Sequence, residues 1–318
     1  MFHWYRALRR NGVIGINERN ISYVNELNPR RLMHLVDDKL ETKRVAAKAD
    51  IPTPELYGVI RNARDMKALP LLLDQPSGFV IKPSMGSQGK GILVIDKPLG
   101  GGWKLANGRR VKIDELRFQI NNILSGMYSL GGQPDKALIE YRVTFDSIFS
   151  EISFKGVPDI RVIVVKGIPV FAMLRLPTAE SDGKANLHKG GVGVGLNIAT
   201  GKTSMAMQRD RLIDLHPDTA HPLSDIQTPH WEEILLMAAK AYSVTNLGYM
   251  GVDIVLDRDR GPLLLELNAR PGISIQIANR MGMRPALEAA KHHGKSPMDA
   301  QAMITVAKAI HTDAKRAA

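Results

Sequence analysis

The run Gly78–Pro83 (GFVIKP) reads as a strand that ends in Lys82 and passes straight into Ser84-Met85-Gly86-Ser87-Gln88-Gly89-Lys90-Gly91. A lysine beside a glycine-rich turn can set an ammonium and several backbone N–H groups around a phosphate, because glycine accepts positive φ and lets the backbone come close. A hairpin turn without a ligand fits the same residues, since Ile92–Ile95 follows at once as a second strand. The loop is not a Walker A motif, which needs G-x-x-x-x-G-K-[ST] opening a helix, whereas Gly91 leads into Ile92 and a strand. Gly195–Thr203 (GLNIATGKT) also fails, with five residues rather than four between its glycines.

A second group is Asp253 with Glu266 and Asn268. Period-two alternation places Glu266 and Asn268 on one face of a strand. A hairpin turning through Asp257-Arg258-Asp259-Arg260-Gly261 would bring Asp253 opposite them. Two carboxylates and an amide oxygen among Ile254, Val255 and Leu263–Leu265 suit Mg²⁺, which takes one or two carboxylates and completes its shell with phosphates and water. A solvated strand face is the alternative. Arg161, Arg175, His188, Lys189 and Arg270 make a third group. Guanidinium forks hold carboxylate or phosphate in two bonds, although any one of these residues taken alone reads as an ordinary surface charge.

The elements that must position these groups alternate helix-like and strand-like patterns with short Gly and Pro breaks, as in α/β or α+β proteins. Helices are predicted over 37–49, 114–130, 228–245 and 298–318. Strands are predicted over 137–143, over 159–176 as a hairpin turning at Lys166-Gly167-Ile168-Pro169, and over 249–256 and 262–267. The glycine-rich stretch from Gly100 to Arg110 reads as an exposed loop.

With 318 residues, 44% hydrophobic and 24% charged, the chain suits one large domain or two modest ones. The absence of cysteine excludes a disulfide framework, a thiolate metal site and a cysteine nucleophile. No apolar run reaches the length of a signal peptide or a membrane span, so a cytoplasmic protein is expected. The formal charge of +11 points to an anionic partner. Nucleic acid is disfavoured as that partner, because the basic residues are scattered (Arg30-Arg31, Arg109-Arg110, Lys315-Arg316) and only 5% of residues are aromatic.

Taken in order, Val36-Asp37-Asp38-Lys39 with Ile51-Pro52-Thr53-Pro54, Phe79–Pro83 with its glycine loop, Ile139-Glu140-Tyr141, Asp159-Ile160-Arg161, Ala185–Gly191 (ANLHKGG), and Asp253 followed by Glu266–Gly272 (ELNARPG) resemble the ATP-grasp superfamily. Within it the sequence is most similar to RimK-type α-L-glutamate ligase-like proteins, over about Asp37 to Ser274. The resemblance implies an α+β, ATP-grasp fold, in which two α+β subdomains clamp ATP. It implies that Lys39 and Lys82 hold the α- and β-phosphates, and that a mobile loop including Ser84, Gly86, Ser87, Gln88, Gly89 and Gly91 closes over the β- and γ-phosphates. Glu140 and Tyr141, with Val143, would read the adenine. Asp253, Glu266 and Asn268 would carry Mg²⁺, with Mn²⁺ as a substitute, while Arg161 and Arg270 steady the transferred phosphoryl group and His188 and Lys189 face the acceptor.

On this basis residues 1–36 are expected to be a short leader in place of the usual Rossmann-like domain. Residues 37–294 would form the ATP-grasp domain, with a lid-like part at about 75–140, and 295–318 a terminal helix. The implied activity is Mg-ATP-dependent, ADP-forming ligation of a small-molecule or peptide carboxylate to an amino-acid amine, such as that of glutamate, through an acyl-phosphate. No side-chain nucleophile is needed. The alternative is a nucleotide-binding accessory or pseudo-ligase subunit acting with a partner protein; a homo-oligomer, or a partner protein that supplies the missing N-terminal domain, is expected for either reading. Two departures stand out: an insertion between Val143 and Asp159, which bears on the ribose contact, and Arg270 where many RimK relatives carry serine, which bears on substrate choice.

Overall fold

The computed structural model describes residues 3–75, 77–86, 89–294 and 298–317. Ser87 and Gln88, and residues 295–297 and 318 of the expected terminal helix, lie outside the described residues. The chain divides into two compact units, one built from Met1–Asp37, Glu41–Pro52 and Phe145–Ala318, the other from Asp38–Leu40 and Thr53–Thr144.

The smaller unit is built on a six-stranded antiparallel sheet. Its strands are β1 (Leu56–Ile60), β2 (Phe79–Pro83), β3 (Leu93–Leu99), β4 (Gly102–Leu105), β5 (Arg110–Val111) and β6 (Ala137–Tyr141), in the order β1-β6-β2-β3-β4-β5. The helix Ile113–Leu124 buries Leu116, Ile120 and Ile123, a stripe at helical spacing, in a core shared with Phe79, Ile81, Ile95, Ala137 and Ile139. Because side chains alternate along a strand, Val80 and Lys82 of β2 and Leu138 and Glu140 of β6 are turned to the other face. The register sets Val80 opposite Glu140 and Lys82 opposite Leu138. The helix stops at Leu124, short of the predicted 130, where Ser125 and the left-handed Gly126 follow. The predicted loop at 100–110 is instead the β4–β5 hairpin, because Trp103, Leu105 and Val111 alternate toward the core.

The larger unit carries a seven-stranded antiparallel sheet. Its strands are β7 (Asp159–Val165), β8 (Ile168–Leu176), β9 (Val192–Leu196), β10 (Thr203–Gln208), β11 (Arg211–Ile213), β12 (Tyr249–Asp257) and β13 (Gly261–Asn268), in the order β11-β10-β9-β8-β7-β12-β13. The helix Trp231–Thr245 buries Ile234, Leu235, Ala238 and Ala241 and packs on β7 and β8, and the helix Ala300–Ala317 packs beside it. All nine residues of β12 are buried, with two aspartates among them. Asp257 receives the Asp259 and Arg260 amides at 3.0 Å each and so closes the β12–β13 turn.

Residues 3–36, read as a leader, belong to this larger core through Ile14, Tyr23, Val24, Met33 and Val36. Buried Asn28 donates to the Tyr249 and Ala269 carbonyls (2.7 and 3.0 Å) and accepts from the Tyr249 amide (2.9 Å), which ties this segment to both strands of the β12–β13 hairpin. Arg284 grips Glu18 with two bonds of 2.7 Å. The Glu18 carboxyl is held below its ordinary range by that guanidinium.

Candidate active site

Four neighbouring strands of the larger sheet set one charged face. The register places Arg175 on β8 opposite Asp159 on β7, and Arg161 on β7 opposite Asp253 on β12, which is in turn opposite Glu266 on β13. Arg161 donates Nε to Asp253 Oδ1 (2.7 Å) and NH2 to Oδ2 (2.5 Å). Arg175 bridges two carboxylates, Nε to Asp159 at 2.5 Å and NH2 to Asp253 at 2.8 Å. Asn268 Nδ2 lies 3.3 Å from Asp253 Oδ2 and 3.2 Å from Glu266 Oε1, so the amide and both carboxylates converge.

This convergence depends on a β-bulge. Asp253 pairs with Glu266 but Ile254 pairs with Leu264, leaving Leu265 as the extra residue of β13. Strict alternation would put Glu266 on the same face as Leu264, which is 1% exposed in the core. The extra residue resets the phase and turns Glu266 and Asn268 toward Asp253. Pro52 supports the far edge of β13 by accepting the Leu264 amide at 2.8 Å.

The electrostatics follow from burial. Asp253 is 1% exposed. Burial alone would push its carboxyl up, but the Arg161 and Arg175 guanidiniums outweigh it and keep the group well below the usual carboxylate range. Asp159 goes the other way: burial pushes it up, Arg175 opposes, and the charge on Asp253 adds to the rise. Asp253 is therefore the more acidic member of the pair.

In the smaller unit the residues around the glycine loop are tightly joined. Lys82 and Glu140 form a buried ion pair on the face away from the helix. The Lys39 amide donates to the Ser84 carbonyl (2.9 Å) and Lys39 Nζ to the Gly86 carbonyl (2.6 Å). The Ser84 hydroxyl, fully buried, donates to Asp38, which also accepts the Leu40 amide (2.8 Å) and Lys136 Nζ (3.0 Å). The Met85 amide donates to both oxygens of Asp135 (3.1 and 3.0 Å), and the Ser84 amide to the Lys136 carbonyl (2.9 Å). At the other end of the loop Gly91 has φ +76°, and a Cβ there would stand 2.5 Å from the Tyr128 ring, so only glycine fits.

A family model described as sugar-transfer associated ATP-grasp matches residues 18–292. The chain belongs to the sugar-transfer associated ATP-grasp family. The match covers both sheets and gives this α+β architecture its name, the ATP-grasp fold. Among curated relatives, a probable α-L-glutamate ligase of Xanthomonas axonopodis pv. citri (strain 306) is 26% identical over 247 residues, 77% of this chain and 61% of that protein. One of the same name from Stenotrophomonas maltophilia (strain R551-3) is 25% identical over 268 residues, 84% of this chain and 68% of that protein. The chain thus spans less than two thirds of the first of these relatives. Among solved structures, a RiPP-associated ATP-grasp ligase of Chryseobacterium gregarium, in complex with ADP and a leader and core peptide, is 14% identical, covering 85% of this chain and 63% of that one with a TM-score of 0.47.

In this ATP-grasp protein the structure brings together Arg161, Asp253, Glu266 and Asn268 in one unit, and Lys39, Lys82, Ser84, Gly86 and Glu140 in the other. Tyr141 ends β6 buried, its amide bonded to the Glu55 carbonyl (2.8 Å), and half-buried Val143 follows. Gly89 and Gly91 both have positive φ. Three expected residues stand apart from the carboxylate face. Arg270 is exposed, with NH2 3.0 Å from Met33 Sδ. His188 and Lys189 lie on a short 3₁₀ turn, Leu187–Lys189, capped by Asn186. His188 also lines a hollow of about 210 Å³ with Arg209, Ser274 and Ile277. Sequence reasoning gave no specific role to Arg175, Asp159 or Asp38 and missed Asp135. Asp159 and Arg175 stand opposite each other only because the register shifts between Ile163 and Val164, which plain hairpin alternation does not reveal.

The oxygen donors fit a divalent cation. Asp253, Glu266 and Asn268 lie within reach of one small ion, and rotating the Asn268 amide would present its oxygen. Among the described residues no cluster of three His, Cys, Asp or Glu could complete a metal shell, so phosphate or water oxygens would have to fill it.

Proposed function

We propose that the protein is an Mg-ATP-dependent ligase that joins a carboxylate to an amine and releases ADP and phosphate. The observation that carries this reading is the bulge at Leu265, which turns Glu266 and Asn268 to the Asp253 face beside two guanidiniums. Membership of the ATP-grasp family supports it. Lys39 and Lys82 would hold the α- and β-phosphates, Gly86–Gly91 would approach the β- and γ-phosphates, and Glu140, Tyr141 and Val143 would read the adenine. Asp253, Glu266 and Asn268 would hold Mg²⁺, which when bound supplies positive charge to the phosphate oxygens.

The reaction is a double displacement. A substrate carboxylate oxygen bonds to the γ-phosphorus as the bond to the ADP oxygen breaks. The amine nitrogen then bonds to the acyl carbon, phosphate departs with the carbon–oxygen electron pair, and the amine proton passes to solvent. Approach of a carboxylate to a triphosphate is repulsive, so fixed cations must neutralise the charge as it moves. Arg161 suits this. Asp253 engages its Nε and NH2, and its NH1 makes no hydrogen bond among the described residues. Arg270 would steady the same phosphoryl group, with His188 and Lys189 on the acceptor side.

The relatives' name makes glutamate the first amine to test, and the family description makes sugar-bearing acids the first acceptors. The test is ADP release by a coupled assay with ATP, Mg²⁺, glutamate and a panel of such acids. Release that requires both substrates and disappears in Glu266→Ala supports ligation. Tight nucleotide binding without release under any pairing would favour the accessory reading instead.

A further inference from the structure

The start of the glycine loop and Lys39 are far apart in sequence, yet a single set of partly buried polar bonds holds them together. We propose that Asp38 and Asp135 are positioning residues, which fix Lys39 and the Ser84–Gly86 backbone as one preformed half of the phosphate site. This rests on the reading of that loop as a phosphate loop.

The geometry points to this role in three ways. Asp38 does two jobs at once: Oδ1 caps the helix Lys39–Ala47 through the Leu40 amide and also receives the Ser84 hydroxyl, while Oδ2 holds Lys136 Nζ. The capped helix therefore starts where β2 ends, and Lys39 Nζ is brought to the Gly86 carbonyl at 2.6 Å. Asp135, 4% exposed, takes the Met85 amide on both oxygens and the Lys136 amide at 2.7 Å. The Ser84 and Met85 amides are thus already used, on the Lys136 carbonyl and on Asp135. The two carboxylates fix the chain at Ser84 and Met85, just ahead of the Gly86 amide. A site that is ordered before its ligand arrives loses less entropy on binding, so loss of the fixing groups must appear as loss of affinity.

Asparagine caps a helix as well as aspartate does, so Asp38→Asn keeps the oxygen that serves Leu40 and Ser84 while removing the charge and the acceptor that hold Lys136. Ser84→Ala and Asp135→Ala remove the other links. Two readouts are needed on the full chain, with circular dichroism and thermal unfolding as controls. The first is amide hydrogen exchange of residues 39–40 and 84–86 without nucleotide. The second is affinity for a fluorescent ADP analogue in Mg²⁺, together with the KM for ATP and kcat. Asp38→Asn is expected to speed exchange there and to weaken nucleotide about tenfold, raising the KM for ATP more than it lowers kcat, with Ser84→Thr restoring what Ser84→Ala loses. Wild-type exchange rates in Asp38→Asn and Asp135→Ala would overturn the proposal. So would nucleotide affinity that falls only as far as the unfolding midpoint does. If the wild type itself binds no nucleotide, the phosphate-loop reading fails with it, and the exchange data still report whether the carboxylates hold the loop.

Discussion

Asp253 is the carboxylate on which the Arg161 and Arg175 guanidiniums converge. It is buried, ionised and answered by two arginines, one of which also serves Asp159. Removing one member of a buried ionic set leaves charge uncompensated, which costs roughly 3–5 kcal/mol. Arg175→Met is therefore expected to lower stability by about that amount, and Asp159→Asn made in the same background to recover part of it. Urea unfolding of the two variants checks this, and a cost below about 1 kcal/mol would show the bridge to be idle. A second expectation concerns acid. Burial would raise the Asp38 carboxyl, but the Ser84 hydroxyl, Lys136 and the Leu40 amide outweigh it and depress the group. A depressed carboxyl contributes stability above its unfolded value of 3.8, and that contribution is lost as pH falls through the lower folded value. The stability difference between wild type and Asp38→Asn should therefore be full above about pH 4 and shrink below it. Unfolding midpoints across that range would show it. Asp135, pushed up mainly by burial, has the opposite sign and adds stability only at acid pH.

Among the elements, the β12–β13 hairpin shows both what a sequence reveals and what it hides. The turn Asp257–Gly261 and the apolar strands on either side fix the pairing, and the expected meeting of Asp253 with Glu266 is there. The bulge at Leu265 has no signature of its own: three successive leucines before Glu266 fit either phase, and only the need to bury Leu264 and expose Glu266 decides between them. Deleting Leu265 would make Leu264 and Glu266 neighbours, so plain alternation would still turn Glu266 to the Asp253 face with the bulge gone. We expect that variant to retain Mg²⁺-dependent nucleotide binding, whereas the double variant Leu265→Glu/Glu266→Leu, which sets leucine opposite Asp253, loses it. Titration of both with a fluorescent nucleotide separates the two cases. Other elements were hidden for related reasons. The β4–β5 hairpin lies among glycines that read as loop, and the helical turns of residues 3–36 are too polar to show a stripe, being held by partners such as Tyr249 and Arg284 some 220 to 270 positions away. Strands with long apolar runs, such as β7, β8 and β12, were the legible ones because burial on both faces leaves little choice of residue.

For the whole molecule, composition alone said only that an anion was the natural partner of a chain of charge +11. The smaller unit carries lysines at the glycine loop and the larger one carboxylates at the β12–β13 hairpin. No helix of the described residues is long and apolar enough to cross a membrane. The central claim is that Asp253, Glu266 and Asn268 serve a metal-bound nucleotide, and thermal unfolding tests it without knowledge of either substrate. Wild type and Glu266→Ala are compared with ATP in Mg²⁺ or in EDTA. A ligand that binds only the folded form adds about 2.7 kcal/mol at a hundredfold excess over Kd. The account predicts a rise in midpoint that needs Mg²⁺ and disappears in Glu266→Ala, whose midpoint without nucleotide stays near that of wild type. An equal rise in EDTA, or an undiminished one in Glu266→Ala, would contradict it.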